Sequence, residues 1–191
     1  MYRVPFTQKA ELKRQLDELL AAGHIERAQS LFGAGVLFVE KHDKPLRLCV
    51  DYCRLNAQTI KDVYPTPRVE DAINDMKGAL YFSKIDLRSG FFQIRVVPGD
   101  VHETAFQTEW GSFQWLVMPF GLTNAPSTFQ TNMDMIFDDM RLFTSVYMDD
   151  IVVNSKIWED HLENVNAVLQ RLRYRKFYVR ISKCEFATEK D

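Results

Sequence analysis

The apolar positions of this chain follow two periods, and the alternation between them outlines the fold. Over residues 8–22, Leu12, Leu16, Leu19 and Leu20 recur at helical spacing, which predicts an amphipathic packing helix stopped by Gly23. Val36-Leu37-Phe38-Val39 and Leu46-Arg47-Leu48-Cys49-Val50-Asp51-Tyr52 then read as two strands joined by the polar stretch 40–45. Tyr64-Pro65-Thr66-Pro67 reads as a rigid connector between subdomains, with Thr66 and Pro67 opening a helix that runs to about Lys77. Residues 80–87 predict a strand ending at Asp86, followed by a short turn or helix over 88–93. Residues 104–108 and 113–118 flank 109–112 as a second hairpin, and the loop 119–126 feeds a helix whose core stripe is Phe129, Met133, Ile136, Phe137 and Met140. A further helix over about 158–174 is expected to bury Leu162, Val165, Leu169 and Leu172, before a final alternating strand over 177–181.

One stretch breaks the rule that cores exclude charge. Phe143-Thr144-Ser145-Val146-Tyr147-Met148-Asp149-Asp150-Ile151-Val152-Val153 is apolar and β-branched on both sides of two adjacent carboxylates, so it reads as a buried hairpin with Asp149 and Asp150 at its tight turn. Asp is a favoured turn residue, so an ordinary acidic turn is one reading. The other is metal binding: neighbouring carboxylates repel unless a cation offsets them, and oxygen-only ligation suits a hard ion such as Mg²⁺. Asp86, at a strand end, is a third carboxylate, and two-metal chemistry needs such ligands from separate elements.

Bulk properties narrow the partners. At 191 residues and 46% apolar content the chain can bury a core as one domain or two joined subdomains. A formal net charge of -2 argues against holding nucleic acid by bulk charge, so such contacts need local basic patches. Lys41 and Arg47 at the first hairpin suit either solvated surface or a triphosphate. Arg171, Arg173, Arg175 and Lys176 suit either a helix C-terminus or a phosphate-facing patch. Cys49, Cys53 and Cys184 form no disulfide or zinc pattern and are expected to be reduced. The absence of a long apolar span and of a secretory layout at residues 1–6 predicts a soluble, intracellular protein.

With these pieces in order, the chain resembles the fingers and palm of a reverse transcriptase from a Ty3/gypsy-type long-terminal-repeat retrotransposon. The resemblance rests on Leu46-Arg47-Leu48-Cys49-Val50-Asp51-Tyr52, Tyr64-Pro65-Thr66-Pro67-Arg68, Phe82-Ser83-Lys84-Ile85-Asp86-Leu87-Arg88-Ser89-Gly90, Val117-Met118-Pro119-Phe120-Gly121-Leu122-Thr123-Asn124-Ala125-Pro126, Tyr147-Met148-Asp149-Asp150 and Ser182-Lys183-Cys184-Glu185-Phe186. It departs from the family's pattern at Gly35, Glu40, His42 and Cys53. It implies that Asp86, Asp149 and Asp150 are catalytic and, with the backbone carbonyl of Leu87, bind two Mg²⁺ ions for which Mn²⁺ can substitute. It also implies that Lys41 and Arg47 grip the dNTP triphosphate, that Phe91 is the steric gate against ribonucleotides, and that Phe120 and Gly121 line the nucleotide pocket. Tyr147, Met148 and Asn124 then face primer and template, and Lys183 serves as proton donor to the leaving pyrophosphate.

The fold implied is α+β, a right-hand polymerase with an antiparallel palm sheet packed on helices and no thumb. Fingers are expected over 1–60 and 94–124, and palm over 61–93 and 125–191. The expected function is RNA-directed DNA polymerisation from dNTPs on a primed RNA or DNA template. The partners would be the remainder of a Pol polyprotein (thumb, connection, ribonuclease H, integrase), and the setting the cytoplasm, in virus-like particles if the element is active. A catalytically silent retrotransposon remnant with at most weak nucleic-acid binding is the alternative, and another two-metal enzyme such as a nuclease a third.

Overall fold

The computed structural model describes residues 5–41, 44–65 and 76–189, with the backbone alone described at Glu40, Lys41, Lys44, Pro45 and Glu189. In chain order the described elements are α1 (Phe6–Ala21), β1 (Ile25–Arg27), β2 (Gly35–Lys41), β3 (Lys44–Asp51), α2 (Cys53–Gln58), β4 (Tyr81–Asp86), β5 (Phe106–Thr108), β6 (Gly111–Trp115), α3 (Ala125–Ile136), β7 (Thr144–Tyr147), β8 (Asp150–Ser155), α4 (Trp158–Tyr174) and β9 (Glu185–Glu189). They divide into two compact units, Met1–Lys61 with Ile94–Ala125, and Asp62–Gln93 with Pro126–Asp191.

In the first unit, α1 buries Leu12 and Leu16 and packs on β1 and β3. Its end is set by Gly23, whose φ of 66° lets the N–H of His24 reach back to the Leu19 carbonyl. β2 and β3 form an antiparallel pair longer than the predicted runs, with Val36 opposite Val50 and Val39 opposite Arg47. The short α2 was not predicted: the Asp51 carboxylate accepts the Cys53 N–H at 3.0 Å and turns the chain into it. β5 and β6 form the expected hairpin with a tighter loop, because Thr108 already pairs with Gly111. β1 pairs with β6 to give the order β1-β6-β5; at three residues with one apolar side chain it was too short to show a period. Phe106, Phe113 and Trp115 fill this core.

The second unit is built on an antiparallel sheet of order β7-β8-β4-β9. The two-residue period sorts β4 and β8 cleanly. Ser83, Ile85, Ile151 and Val153 are buried on one face, on which α4 packs, while Lys84, Asp86, Asp150 and Val152 share the other. The predicted helix from Thr66 to about Lys77 falls mostly on residues 66–75, outside the described residues. α3 ends at Ile136, and Phe137 and Met140 enter the core from the turn of 3₁₀ helix that follows.

Two expectations need correction. The buried side of α4 is His161, Val168 and Leu172, whereas Leu162 is 52% exposed; the helix is rotated from the predicted stripe because a polar residue, His161, takes a core position. The last strand is β9, not 177–181. Around Val179 the backbone makes a bridge to Leu87, then a 3₁₀ turn at Ile181–Lys183 returns the chain to pair with β4. The three cysteines are free.

Candidate functional site

The site grows from the register of two strands. Asp86, the last residue of β4, lies directly opposite Asp150, the first residue of β8, so their side chains leave the sheet on the same face. Tyr147 pairs with Asp150, which makes the hairpin loop the two residues Met148 and Asp149; Asp150 therefore belongs to the strand rather than to the turn. The ladder continues past β4, with the Leu87 N–H donating to the Asp149 carbonyl at 3.1 Å and the Arg180 N–H to the Asp86 carbonyl at 2.8 Å. The 3₁₀ turn after Arg180 sets Lys183 beside β4, its Nζ 3.9 Å from Asp86 Oδ2.

Electrostatics single out Asp149. Its Oδ1 is buried with no hydrogen-bond partner among the described residues. Burial raises its carboxyl above the usual range, the charges of Asp86 and Asp150 raise it further, and Arg180 and Lys183 act in the opposite sense. The space for that oxygen comes from Gly90, in the 3₁₀ turn Gly90–Gln93: a Cβ there would lie 2.3 Å from Asp149 Oδ1 and 3.1 Å from the Phe129 ring. Asp150 instead meets Lys84, whose Nζ lies 2.9 Å from its Oδ2, and the pairing raises the Lys84 pKa. Among the described residues no three acidic, histidine or cysteine side chains are gathered into a finished metal cluster. The donor chemistry nonetheless fits a hard divalent cation. An unpartnered buried carboxylate oxygen beside two like charges is relieved by such an ion, and carboxylate oxygens are the kind of ligand it takes.

The other predicted residues are distributed as follows. Phe91 is buried, its ring 5.1 Å from that of Phe129. Tyr147 and Met148 are 41% and 37% exposed at the hairpin tip. Arg47, Phe120, Gly121 and Asn124 belong to the first unit. There Arg47 and Phe120 are exposed, Gly121 has a φ of 99° and its carbonyl accepts Asn56 Nδ2 at 2.7 Å, and Asn124 Nδ2 donates to the Ile60 carbonyl at 2.8 Å. The side chain of Lys41 lies outside the described residues. At the basic end of α4, Arg171 forks onto Asp139 at 2.8 and 2.7 Å, while Arg173, Arg175 and Lys176 are exposed.

Sequence reasoning missed Gly90, Lys84 and Gln130. For Gly90 and Lys84 the signal was position: one follows and one precedes Asp86 on the same short stretch. For Gln130 it was spacing, since Gln130, Met133 and Phe137 recur at i, i+3 and i+7, so a polar residue lies on the buried face.

A hairpin that presents paired acids beside a strand-end acid, on an antiparallel sheet backed by helices, defines the palm class of nucleotidyl-transfer fold. The comparisons agree. Residues 39–191 match the family described as reverse transcriptase (RNA-dependent DNA polymerase), and the chain belongs to that family. It is 37% identical over 191 residues to the retrovirus-related Pol polyprotein from transposon opus of Drosophila melanogaster, covering 97% of this chain and 19% of that protein. It is 34% identical over 186 residues to the transposon Tf2-3 polyprotein of Schizosaccharomyces pombe, covering 97% and 14%. These transposon relatives agree with the Ty3/gypsy-type resemblance, and the chain spans a fifth or less of their length. Among solved structures, the foamy viral protease-reverse transcriptase in complex with RNA/DNA hybrid superposes with a TM-score of 0.88 at 23% identity, covering 97% of this chain and 25% of that one. The foamy viral protease-reverse transcriptase dRH in complex with double-stranded DNA gives 0.90 at 23% identity, covering 99% and 33%. The fold is therefore that of reverse transcriptase fingers and palm.

Proposed function

We propose that this chain is the fingers-and-palm part of an RNA-directed DNA polymerase that joins a deoxynucleotide to a primer 3′-hydroxyl on an RNA or DNA template. The observation that carries the reading is the buried, unpartnered Oδ1 of Asp149 beside Asp86 and Asp150, on a chain of the reverse transcriptase family. Asp86, Asp149, Asp150 and the Leu87 carbonyl would hold two Mg²⁺ ions, with Mn²⁺ as substitute. Bound there, such ions favour loss of the 3′-hydroxyl proton and offset charge developing on the phosphates.

The chain's own residues then divide the work. Strand pairing fixes Asp86 against Asp150, so the hydroxyl and the triphosphate are held by a rigid sheet rather than a loop. Lys183, exposed beside Asp86, delivers a proton to the departing pyrophosphate. Phe91, braced by the Phe129 ring, crowds a 2′-hydroxyl and so excludes ribonucleotides. Tyr147 and Met148 carry the primer end at the exposed tip, Lys41 and Arg47 bind the triphosphate, Phe120 and Gly121 line the base pocket, and Asn124 orders the loop that faces the template. Residues 1–60 and 94–124 are the fingers, and 61–93 and 125–191 the palm. The working enzyme includes thumb, connection, ribonuclease H and integrase segments of a Pol polyprotein and acts in cytoplasmic virus-like particles.

The test is primer extension by a polyprotein carrying this segment, with dNTPs and Mg²⁺ on a primed RNA. Extension is expected, and its loss in Asp149→Asn; retained extension in that variant would sink the mechanism.

A further inference from the structure

Two-residue hairpin loops usually place Gly, Asn or Asp where φ is positive. Here that position is Met148, at a φ of 52°. A side chain held in the left-handed region persists where the surroundings over-determine it. Here one side-chain amide bonds the strained residue directly.

β7 is an edge strand, so the outward backbone groups of its last residues have no neighbouring strand. Val146 C=O and Met148 N–H, two residues apart, point to the same side. Gln130, 1% exposed on α3, meets both: its Nε2 donates to the Val146 carbonyl at 3.1 Å and its Oε1 accepts the Met148 N–H at 3.3 Å. One primary amide thus offers the donor and acceptor that a neighbouring strand would have supplied. Which end of the amide faces Met148 is decided one helical turn away. Gln130 Nε2 also donates to Asp134 Oδ1 at 2.9 Å, and an ionised carboxylate, which accepts only, rejects the reversed amide. The Tyr64 hydroxyl in turn donates to Asp134 Oδ2 at 2.7 Å.

We propose that Gln130 is the positioning residue for the acidic turn, oriented through Asp134 by Tyr64, and that this chain of hydrogen bonds holds Met148 left-handed so that Asp149 enters its buried slot beside Gly90. The inference rests on the polymerase reading for its purpose, but not for its test. Gln130 touches no reacting atom; it acts through the turn.

The experiment is amide hydrogen exchange, read by NMR, on the 191-residue chain in EDTA, comparing wild type with Gln130→Met, which keeps the volume and removes both bonds. The expected result is about tenfold faster exchange at Met148, the effect of losing one ordinary hydrogen bond, with core amides of α3 and β8 unchanged. Asp134→Ala, which frees the amide to flip, should raise Met148 exchange by about threefold. Unchanged Met148 exchange in Gln130→Met, or a rise spread evenly over α3 and β8, overturns the proposal; if that variant does not fold, unchanged Met148 exchange in Asp134→Ala overturns it. Because the readout needs no primer, template or metal, a chain that fails to extend primers can still pass it. A polymerase-active chain can likewise fail it.

Discussion

Gly90→Ala is the sharpest perturbation the structure offers. Gly90 is buried and its φ lies outside the left-handed region, so alanine suits the backbone and by itself gains about 0.4–1 kcal/mol from a less flexible unfolded chain. Space is the problem. The new methyl would lie 2.3 Å from Asp149 Oδ1, and an ordinary C···O approach is about 3.3 Å, so the carboxylate or the turn must move by about 1 Å. The Phe129 ring, at 3.1 Å and fully buried, closes the alternative of moving the methyl the other way. Overpacking of this kind costs about 1–3 kcal/mol, which leaves a net loss of about 1–2 kcal/mol and a fall in Tm of about 2–8 °C. The functional loss should be larger in proportion, about 100-fold in primer extension by the polyprotein, because a displacement of that size spoils the placement of reacting groups. Thermal melts, Mn²⁺ titration and single-turnover extension together test it. A variant that melts within about 1 °C of wild type, binds Mn²⁺ equally and extends at the wild-type rate would refute the claim that the missing side chain at 90 makes room for Asp149.

Three more outcomes are expected. Asp149→Asn removes a buried, mutually repelled charge, so in EDTA it should stabilise the fold by about 1 kcal/mol; the proposed site predicts a rise in wild-type Tm on adding Mg²⁺ by mass action and its loss in this variant, and a variant that still responds to Mg²⁺ would place the ion elsewhere. His161 is wholly buried between Ser83 Oγ at 2.8 Å and Ser155 Oγ at 3.2 Å, and burial holds its pKa below the ordinary value. The unfolded chain therefore binds the proton more readily, so this contribution is complete above about pH 6.5 and is lost as pH falls from there through the folded-state value. Urea unfolding across that range should show a shallower slope in His161→Asn, and an equal slope would refute the assignment. Arg171→Ala removes the fork onto Asp139 and a bond to the Ile136 carbonyl at the end of α3, and should lower stability by about 1 kcal/mol in thermal melts; an unchanged Tm would return Arg171 to the pool of free surface cations.

Most elements were legible because local period and burial agree in them. The stretch 80–87 alternates as a half-buried strand must, and α4 spans 158–174 as its pattern predicts. Errors arose where the deciding partner is distant in sequence. Leu162 looked buried because leucines usually are, yet His161 occupies the core since Ser83, far back in the chain on β4, completes with the nearby Ser155 of β8 the partners of both ring nitrogens. Residues 177–181 alternate well enough for a strand, but they meet only the end of β4, through the bridge to Leu87 and the bond to the Asp86 carbonyl, and residues 185–189 pair along the rest of that edge.

The same division applies to the site. Linear sequence determined which residues carry charge among apolar neighbours: Asp86 at a strand end, and Asp149 with Asp150 between two β-branched runs. Those are statements about composition and spacing, which a chain contains before it folds. Sequence could not say that Asp86 and Asp150 stand opposite each other, that Asp149 leaves one oxygen buried in the gap above Gly90, that Lys84 meets Asp150, or that a glutamine on α3 completes the edge of β7. Each of these depends on register and packing between segments 16 or more residues apart, and only the tertiary structure sets those distances.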